Sequence, residues 1–180
     1  LPPALLELGG KDPVIVLKDA DMERAANAAA WGSCFMTGQV CMSVERIYVH
    51  EKVHNAFVDA FVSAVKAMRM GDPMDEATYI GALTRAPQLD VLAAQVTDAV
   101  GKGAKLLTGG GRKLGPGHWF EASVLVDVDH RMELMREESF GPVIGIQKVS
   151  GDEEAVRLMN DTRYGLTAGV YTRDETRAKR

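Results

Sequence analysis

Short runs of β-branched residues alternate with helical patterns along the whole chain. These runs are mostly apolar without alternation, as in strands that are buried on both faces. Predicted strands cover residues 14–17, 46–50, 105–108 and 120–126, predicted helices follow an N-cap at Asp21 and cover residues 53–68 and 87–100, and further units lie at residues 143–149, 152–160 and 167–172. This order predicts an α/β domain with a mainly parallel sheet that helices flank on both faces.

The composition favours a protein that acts on a small molecule. The 180 residues are 46% hydrophobic and have a formal net charge of -4, and the basic residues are dispersed except at the extreme C-terminus. Such a chain can bury a substantial core but has no basic patch for nucleic acid or for an anionic membrane. No apolar run is long enough to span a bilayer, and the N-terminus lacks the pattern of a signal peptide. The sequence therefore predicts a cytoplasmic protein with no nucleic-acid or membrane partner.

The two cysteines have different sequence surroundings. Cys34 lies in an apolar helical stretch and is predicted to be a packing residue. Cys41 lies in a polar, glycine-preceded loop, where a substrate can approach its sulfur. Two cysteines without Cys-x-x-Cys or Cys/His spacing predict neither a disulfide framework nor a zinc site. His50 and His54 are four residues apart, but His50 is predicted to end a strand, so helical ligand spacing does not apply and no metal site is predicted.

A glutamate, Glu7, lies between an apolar stretch and a glycine pair. At the end of a buried strand, desolvation would raise the pKa of this carboxyl towards neutrality, which suits a general base. Glu7 and Cys41 together suit acyl transfer through a thioester. The residues alone leave other interpretations open. Cys41 has no histidine near it in sequence and could be a small buried side chain, whereas Glu7 and Glu138 could be solvated surface carboxylates.

Three motifs follow one another in a defined order. They are Leu6-Glu7-Leu8-Gly9-Gly10-Lys11, then Gly38-Gln39-Val40-Cys41, then Glu137-Glu138-Ser139-Phe140-Gly141-Pro142. In this order they resemble the catalytic half of the NAD(P)-dependent aldehyde dehydrogenase superfamily, and the similarity runs along essentially the whole chain. The resemblance implies that Cys41 is the nucleophile and that Glu7 is the general base that activates water.

The resemblance also implies a cofactor-binding side. Glu138 and Phe140 would hold the nicotinamide ribose and ring of NAD or NADP, and Gly9 would let the nicotinamide approach the backbone. Gln88 would match a weaker cofactor contact, although the residues around it depart from the pattern of better-known members. The glycine-rich run of residues 109–115 lacks the order of a phosphate-binding loop and is predicted to be a surface loop.

The implied reaction oxidises an aldehyde to a carboxylic acid. The Cys41 thiolate attacks the aldehyde carbonyl, the thiohemiacetal loses hydride to the nicotinamide, and Glu7 activates the water that hydrolyses the thioester. Relatives that transfer the acyl group to coenzyme A characteristically lack this glutamate, so its presence favours an acid product. The run after Cys41 is similar to members that act on aromatic aldehydes and to members that act on succinic semialdehyde, and the sequence does not decide between them.

The resemblance has consequences for the organisation of the protein. Residues 1–180 would form the nucleophile-bearing catalytic domain, incomplete at both ends, with the dinucleotide-binding domain largely outside this sequence. We therefore expect residues 1–180 alone to be inactive as a dehydrogenase and the full-length protein to be a homodimer or homotetramer. The alternative is a non-catalytic globular fragment, or a structural relative that binds no cofactor productively.

Overall fold

A computed structural model describes residues 3–179 as a six-stranded sheet with flanking helices. The strands are β1 (Asp12–Val16), β2 (Val44–His50), β3 (Lys105–Thr108), β4 (Ser123–Val126), β5 (Val143–Val149) and β6 (Gly169–Tyr171). The helices are α1 (Met22–Cys34), α2 (His54–Ala67), α3 (Ala86–Gly101), α4 (Asp152–Asn160) and α5 (Glu175–Ala178), with short 3-10 helices at Phe35–Gly38 and Glu133–Met135. The strand order is β3-β4-β5-β2-β1-β6, and every neighbouring pair is parallel except β3 with β4.

The strands divide their side chains between two apolar cores. In β2, Ile47 and Val49 belong to the core that contains residues of α1 and α2, whereas Tyr48 belongs to the core that contains residues of α3 and α4. Successive side chains of a strand point to opposite faces of the sheet, so a strand between two helical layers must be apolar on both faces. The predicted fold class, a mainly parallel sheet covered by helices on both faces, is confirmed.

The predicted elements differ from the observed ones mainly at their ends. The predicted N-cap is confirmed, because the Asp21 side chain accepts a hydrogen bond from the Arg24 N–H at 3.1 Å. The strand predicted at residues 120–126 begins only at Ser123, because Phe120 forms an isolated bridge with Arg112 instead of joining the sheet. Residues 167–172 contribute only the short edge strand β6.

The amino ends of β1, β2 and β5 lie side by side. Asp12 is in register with Val44, and Arg46 is in register with Gly145. The segments that precede these strands therefore converge at one edge of the sheet, and they carry the three sequence motifs. Residues 9–12, 36–46 and 137–142 are called the amino-edge site below. Open α/β sheets usually bind ligands at the carboxyl ends of their strands, so this site lies at the opposite edge.

Across residues 3–179, no helix has the length and apolar character that crossing a membrane requires.

Candidate active site

The chain reaches Cys41 through a strained segment. Met36, Thr37 and Gly38 have φ angles of 50°, 62° and 70°, which lie in the left-handed region. The Thr37 hydroxyl accepts the N–H of Gly81 at 2.9 Å and so holds this segment against the chain before α3. Left-handed non-glycine residues cost about 1–3 kcal/mol each and persist where the surrounding structure enforces them, often at functional sites. The loop that presents Cys41 is therefore fixed by its neighbours.

The two cysteines have opposite environments. Cys34 ends α1 and is fully buried, and this burial raises the pKa of its thiol to about 12. Its predicted packing role is confirmed. Cys41 is only partly buried, in a turn that is closed by the Ser43 N–H donating to the Val40 carbonyl at 2.9 Å. Cys41 is thus the accessible thiol of the pair.

Two glycines bring the segment before β1 against the Cys41 loop and against Glu138. A Cβ atom at Gly10 would lie 1.9 Å from the Cys41 carbonyl oxygen, so a larger residue cannot occupy this position without moving the loop. Gly9 has a φ of 74°, and a Cβ atom there would lie 2.6 Å from Oε2 of Glu138. The glycine pair of the first motif therefore contacts both the second motif and the third.

Glu138 is joined directly to this glycine pair. Its Oε1 accepts the N–H of Gly10 at 2.8 Å. Partial burial raises the pKa of the Glu138 carboxyl above its usual value, although the hydrogen bond from Gly10 opposes the shift. Two of the predicted site residues, Gly9 and Glu138, thus lie in contact.

Phe140 lies two residues after Glu138 and has a left-handed backbone conformation. It has a φ of 47°, and the residue is 38% exposed. Gln88, near the start of α3, donates from Nε2 to the Ser139 carbonyl at 2.5 Å. A direct contact between Gln88 and a cofactor stays a prediction. In this structure its amide holds the loop that carries Phe140.

Glu7 does not join the other predicted residues. Residues 3–8 are exposed and form neither a helix nor a strand. The buried strand that was expected to end at Glu7 is therefore wrong, because the leucines around it find no apolar surface among the described residues: Leu5, Leu6 and Leu8 are 90%, 71% and 78% exposed. Residues 3–179 therefore leave the Glu7 side chain exposed.

Sequence reasoning missed a buried ion pair in the amino-edge site. Lys11 Nζ lies 2.5 Å from Oε2 of Glu45, and the two side chains are 0% and 3% exposed. The signal was present in the sequence, since Glu45 and Arg46 are adjacent charges at the start of an otherwise apolar strand. Buried charges of this kind require partners.

A chain of polar side chains continues behind Lys11. Arg46 donates from Nε to the Lys11 carbonyl at 2.9 Å and from Nη1 to the Tyr48 hydroxyl at 3.2 Å. His130 joins Tyr48 to Asp161, with Nε2 2.8 Å from the hydroxyl and Nδ1 2.6 Å from Oδ2. Burial lowers the pKa of His130, which favours the neutral ring. Nδ1–H then donates to Asp161, and Nε2 accepts from Tyr48.

A mostly apolar groove of about 480 Å³ lies beside the loop that carries Cys41, and Cys41 itself is not among its lining residues. Val40 and Met42, on either side of Cys41 in sequence, both line it. Trp31 and Phe35 also line it, with ring centroids 4.9 Å apart and with 55% and 43% of their surface exposed. Of the described residues that line this groove, none is Lys or Arg. Within residues 3–179, no group of three or more His, Cys, Asp or Glu side chains could hold a metal ion.

Comparison with known proteins decides the family. The model of the aldehyde dehydrogenase family matches residues 1–180. The chain belongs to the aldehyde dehydrogenase family. It is 46% identical over 178 residues to a vanillin dehydrogenase of Pseudomonas fluorescens, covering 99% of this chain and 36% of that protein. It is 43% identical over 175 residues to the succinate semialdehyde dehydrogenase [NAD(P)+] Sad of Escherichia coli strain K12, covering 97% of this chain and 38% of that protein.

Solved aldehyde dehydrogenase structures show the same fold. The succinate-semialdehyde dehydrogenase of Burkholderia pseudomallei superposes with a TM-score of 0.93 at 37% identity, covering 97% of this chain and 36% of that one. The chain thus spans little more than a third of the length of the aldehyde dehydrogenases that it matches. The family resemblance that the three motifs indicated is confirmed.

Proposed function

We propose that the protein containing this chain oxidises an aldehyde to a carboxylic acid with NAD or NADP, using Cys41 as the nucleophile. The observation that carries the proposal is the glycine pair, where Gly10 contacts the backbone of Cys41 and Gly9 contacts Glu138. Membership of the aldehyde dehydrogenase family supports the reaction class, and the name of the E. coli relative includes NAD(P)+. A thiol and a cofactor-binding carboxylate on adjoining segments are what this chemistry needs.

The residues beside Gly9 fit a nicotinamide nucleoside. Oε1 of Glu138 is bonded to the Gly10 N–H, and Oε2 can accept a ribose hydroxyl beside a glycine that has no side chain to block it. The partly exposed ring of Phe140 offers an apolar face on the same loop. We infer that these three residues hold the nicotinamide end of the cofactor. Bound NAD(P) supplies a hydride acceptor.

The roles of the protein groups follow from their chemistry. The Cys41 thiolate attacks the aldehyde carbonyl, and the Cys41 N–H can donate to the oxyanion that forms. Oxidation of the adduct leaves a thioester on Cys41. Glu7 then removes a proton from the water that hydrolyses this thioester. In this proposal Glu7 acts only after oxidation, so its role is separable from that of Cys41.

The groove beside Cys41 favours an aldehyde with an uncharged, apolar body. Trp31, Phe35 and Met42 offer aromatic and thioether surface. Because no Lys or Arg is among the described residues of the groove, a second carboxylate on the substrate would lack a counter-ion there. We therefore expect the full-length protein to prefer benzaldehyde to succinic semialdehyde in kcat/KM. A preference for succinic semialdehyde would contradict this choice.

The decisive experiment compares the two cysteines in the full-length protein. Cys41→Ser should abolish aldehyde-dependent NAD(P)H formation and trapping of an acyl group, whereas Cys34→Ser should retain both. Iodoacetamide should modify Cys41 faster than the fully buried Cys34. If Cys41→Ser kept the parental rate, or if the parent formed no NAD(P)H with any aldehyde tested, the non-catalytic alternative would be correct.

The remaining expectations concern the whole protein. We propose that residues 1–180 act as the nucleophile-bearing catalytic domain and, by themselves, do not oxidise aldehydes. A homodimer or homotetramer stays a prediction.

A further inference from the structure

The carboxylate of Glu45 binds two successive backbone amides of the proposed cofactor loop. Oε2 accepts the Ser139 N–H at 2.8 Å, and Oε1 accepts the Phe140 N–H at 2.9 Å. Lys11 completes the arrangement, with Nζ 2.5 Å from Oε2 of Glu45 and 3.0 Å from the Ser139 hydroxyl. We call Glu45, Lys11, Ser139 and Phe140 the Glu45 clamp. Together they join the segment before β1, the strand after Cys41 and the loop after Glu138.

The two charged residues of the clamp are buried, so their charges must compensate one another. With backbone and side chain counted together, Lys11 and Glu45 are 1% and 2% exposed. An unpaired charge at such a depth is strongly unfavourable, and removing one partner of a buried pair costs more than replacing both. Burial lowers the pKa of the Lys11 ammonium, and the adjacent Glu45 opposes that shift. The hydrogen bonds of Glu45 with Lys11 and with the two loop amides supply the polar partners that these buried side chains need.

The clamp explains the backbone of Phe140. This residue has a φ of 47°, a conformation that costs a non-glycine residue free energy. Two consecutive N–H groups that point at one carboxylate can hold such a turn, because the backbone forms a concave site for an anion. Without the carboxylate, the loop that carries Phe140 and Glu138 would lose two of the hydrogen bonds that hold it.

We propose that Glu45 and Lys11 are positioning residues that hold Phe140 and Glu138 in the geometry that binds the nicotinamide cofactor. This inference rests on the proposed dehydrogenase function. Neither residue is assigned a contact with a reacting atom. Glu45 lies four residues after the nucleophile and Lys11 follows the glycine pair, so the clamp also fixes the distance between the thiol segment and the cofactor loop.

The first test uses Glu45→Gln in the full-length protein. The glutamine can accept only one of the two loop amides, so the Kd for NAD(P) should rise roughly 10-fold, as loss of a hydrogen bond to a charged group predicts. Hydrolysis of p-nitrophenyl acetate needs Cys41 but no hydride acceptor, and it should fall by less than about threefold if the nucleophile segment keeps its place. Amide hydrogen exchange at residues 139 and 140 should accelerate.

A second set of variants separates positioning from stability. Lys11→Met leaves the Glu45 carboxylate buried without its cation and should lower thermal stability, whereas Lys11→Met with Glu45→Gln restores neutrality. The double variant should recover stability but not cofactor affinity. Lys105→Met is the matched control, because its ion pair with Asp127, 2.8 Å long, lies on the surface.

The outcomes distinguish this inference from the proposed function. Parental cofactor affinity in a folded Glu45→Gln protein, or equal losses of cofactor binding and of ester hydrolysis, would overturn the positioning role while leaving the dehydrogenase assignment intact. Recovery of cofactor affinity by the double variant would overturn it as well. If the parent itself bound no NAD(P), both the proposed function and the positioning role would be wrong.

Discussion

The amino-edge site and the segment of residues 3–8 are adjacent in sequence but differ in how they are held. In the amino-edge site, Gly10 touches the Cys41 carbonyl, Glu138 binds the Gly10 N–H and Glu45 binds the loop amides. Residues 3–8, which include Glu7, are exposed and irregular. The proposed nucleophile and the proposed cofactor loop are therefore positioned by contacts within residues 3–179, whereas the proposed base is not.

The largest effect is expected from Gly10→Ala, which alters the amino-edge site at its closest contact. The new Cβ would lie 1.9 Å from the Cys41 carbonyl oxygen, so the loop must move. Misplacement of a reacting group by about 1 Å can cost roughly 100-fold in rate. Both aldehyde oxidation and p-nitrophenyl acetate hydrolysis by the full-length protein should therefore fall at least that far.

Gly101→Ala serves as the control for this substitution. A Cβ atom at Gly101, at the end of α3, would meet nothing within 4 Å. This variant should keep parental rates. Parental activity of Gly10→Ala would show that the amino-edge site is less rigid than its contacts indicate.

Glu7→Gln should act on a later step than any variant of the amino-edge site. The amide keeps the shape of the side chain but cannot take a proton, so thioester hydrolysis should slow roughly 100-fold while the first turnover still produces NAD(P)H. Rapid mixing with mass spectrometry of the quenched protein should reveal an acyl group on Cys41. Loss of the burst as well would show that Glu7 helps to form the thiolate, and parental steady turnover would assign water activation to another residue.

The contrast between these regions also explains what the sequence could predict. Apolar runs with β-branched residues located the strands, because a strand between two helical layers must be apolar on both faces. The motifs located Cys41, Gly9 and Glu138, which the structure places on adjoining segments. The exposure of Glu7 could not be predicted, because an apolar run such as residues 4–8 does not reveal whether a partner surface exists.

The contacts of the Glu45 clamp could not be predicted from the sequence for a different reason. Glu45 and Phe140 are 95 residues apart, and only the register of β2 with β5 brings the carboxylate under the loop amides. A pair of charges at the start of a strand indicates that partners must exist, but it does not say which residues they are. Buried polar partners depend on tertiary structure, whereas apolar periodicity is local.

A smaller effect is expected from Gln88→Met, which keeps the length of the side chain but removes its donor. The Ser139 carbonyl would lose the hydrogen bond from Gln88, which is worth about 1 kcal/mol. The KM for NAD(P) should rise roughly fivefold, with little change in ester hydrolysis. An unchanged KM would show that Glu45 and Lys11 hold the loop without help from α3, and a rise as large as that of Glu45→Gln would favour a direct contact between Gln88 and the cofactor.

The smallest effect concerns pH and the polar chain behind the amino-edge site. Burial holds the pKa of His130 below its ordinary value of 6.5, so below that pH the unfolded protein binds more protons than the folded one. The contribution of His130 to the free energy of unfolding is therefore fully present above about pH 6.5. It is lost as the pH falls from there towards the lower folded-state pKa of His130. Protonation of Nε2 would also remove the acceptor for the Tyr48 hydroxyl, which in turn accepts from Arg46.

His130→Gln removes the titrating ring, so its melting temperature should fall less than that of the parent between pH 7.5 and 5.5. His118→Gln, which lies outside this series of contacts, should follow the parent. Identical slopes for His130→Gln and the parent would show that the polar side chains behind the amino-edge site do not depend on the neutral imidazole.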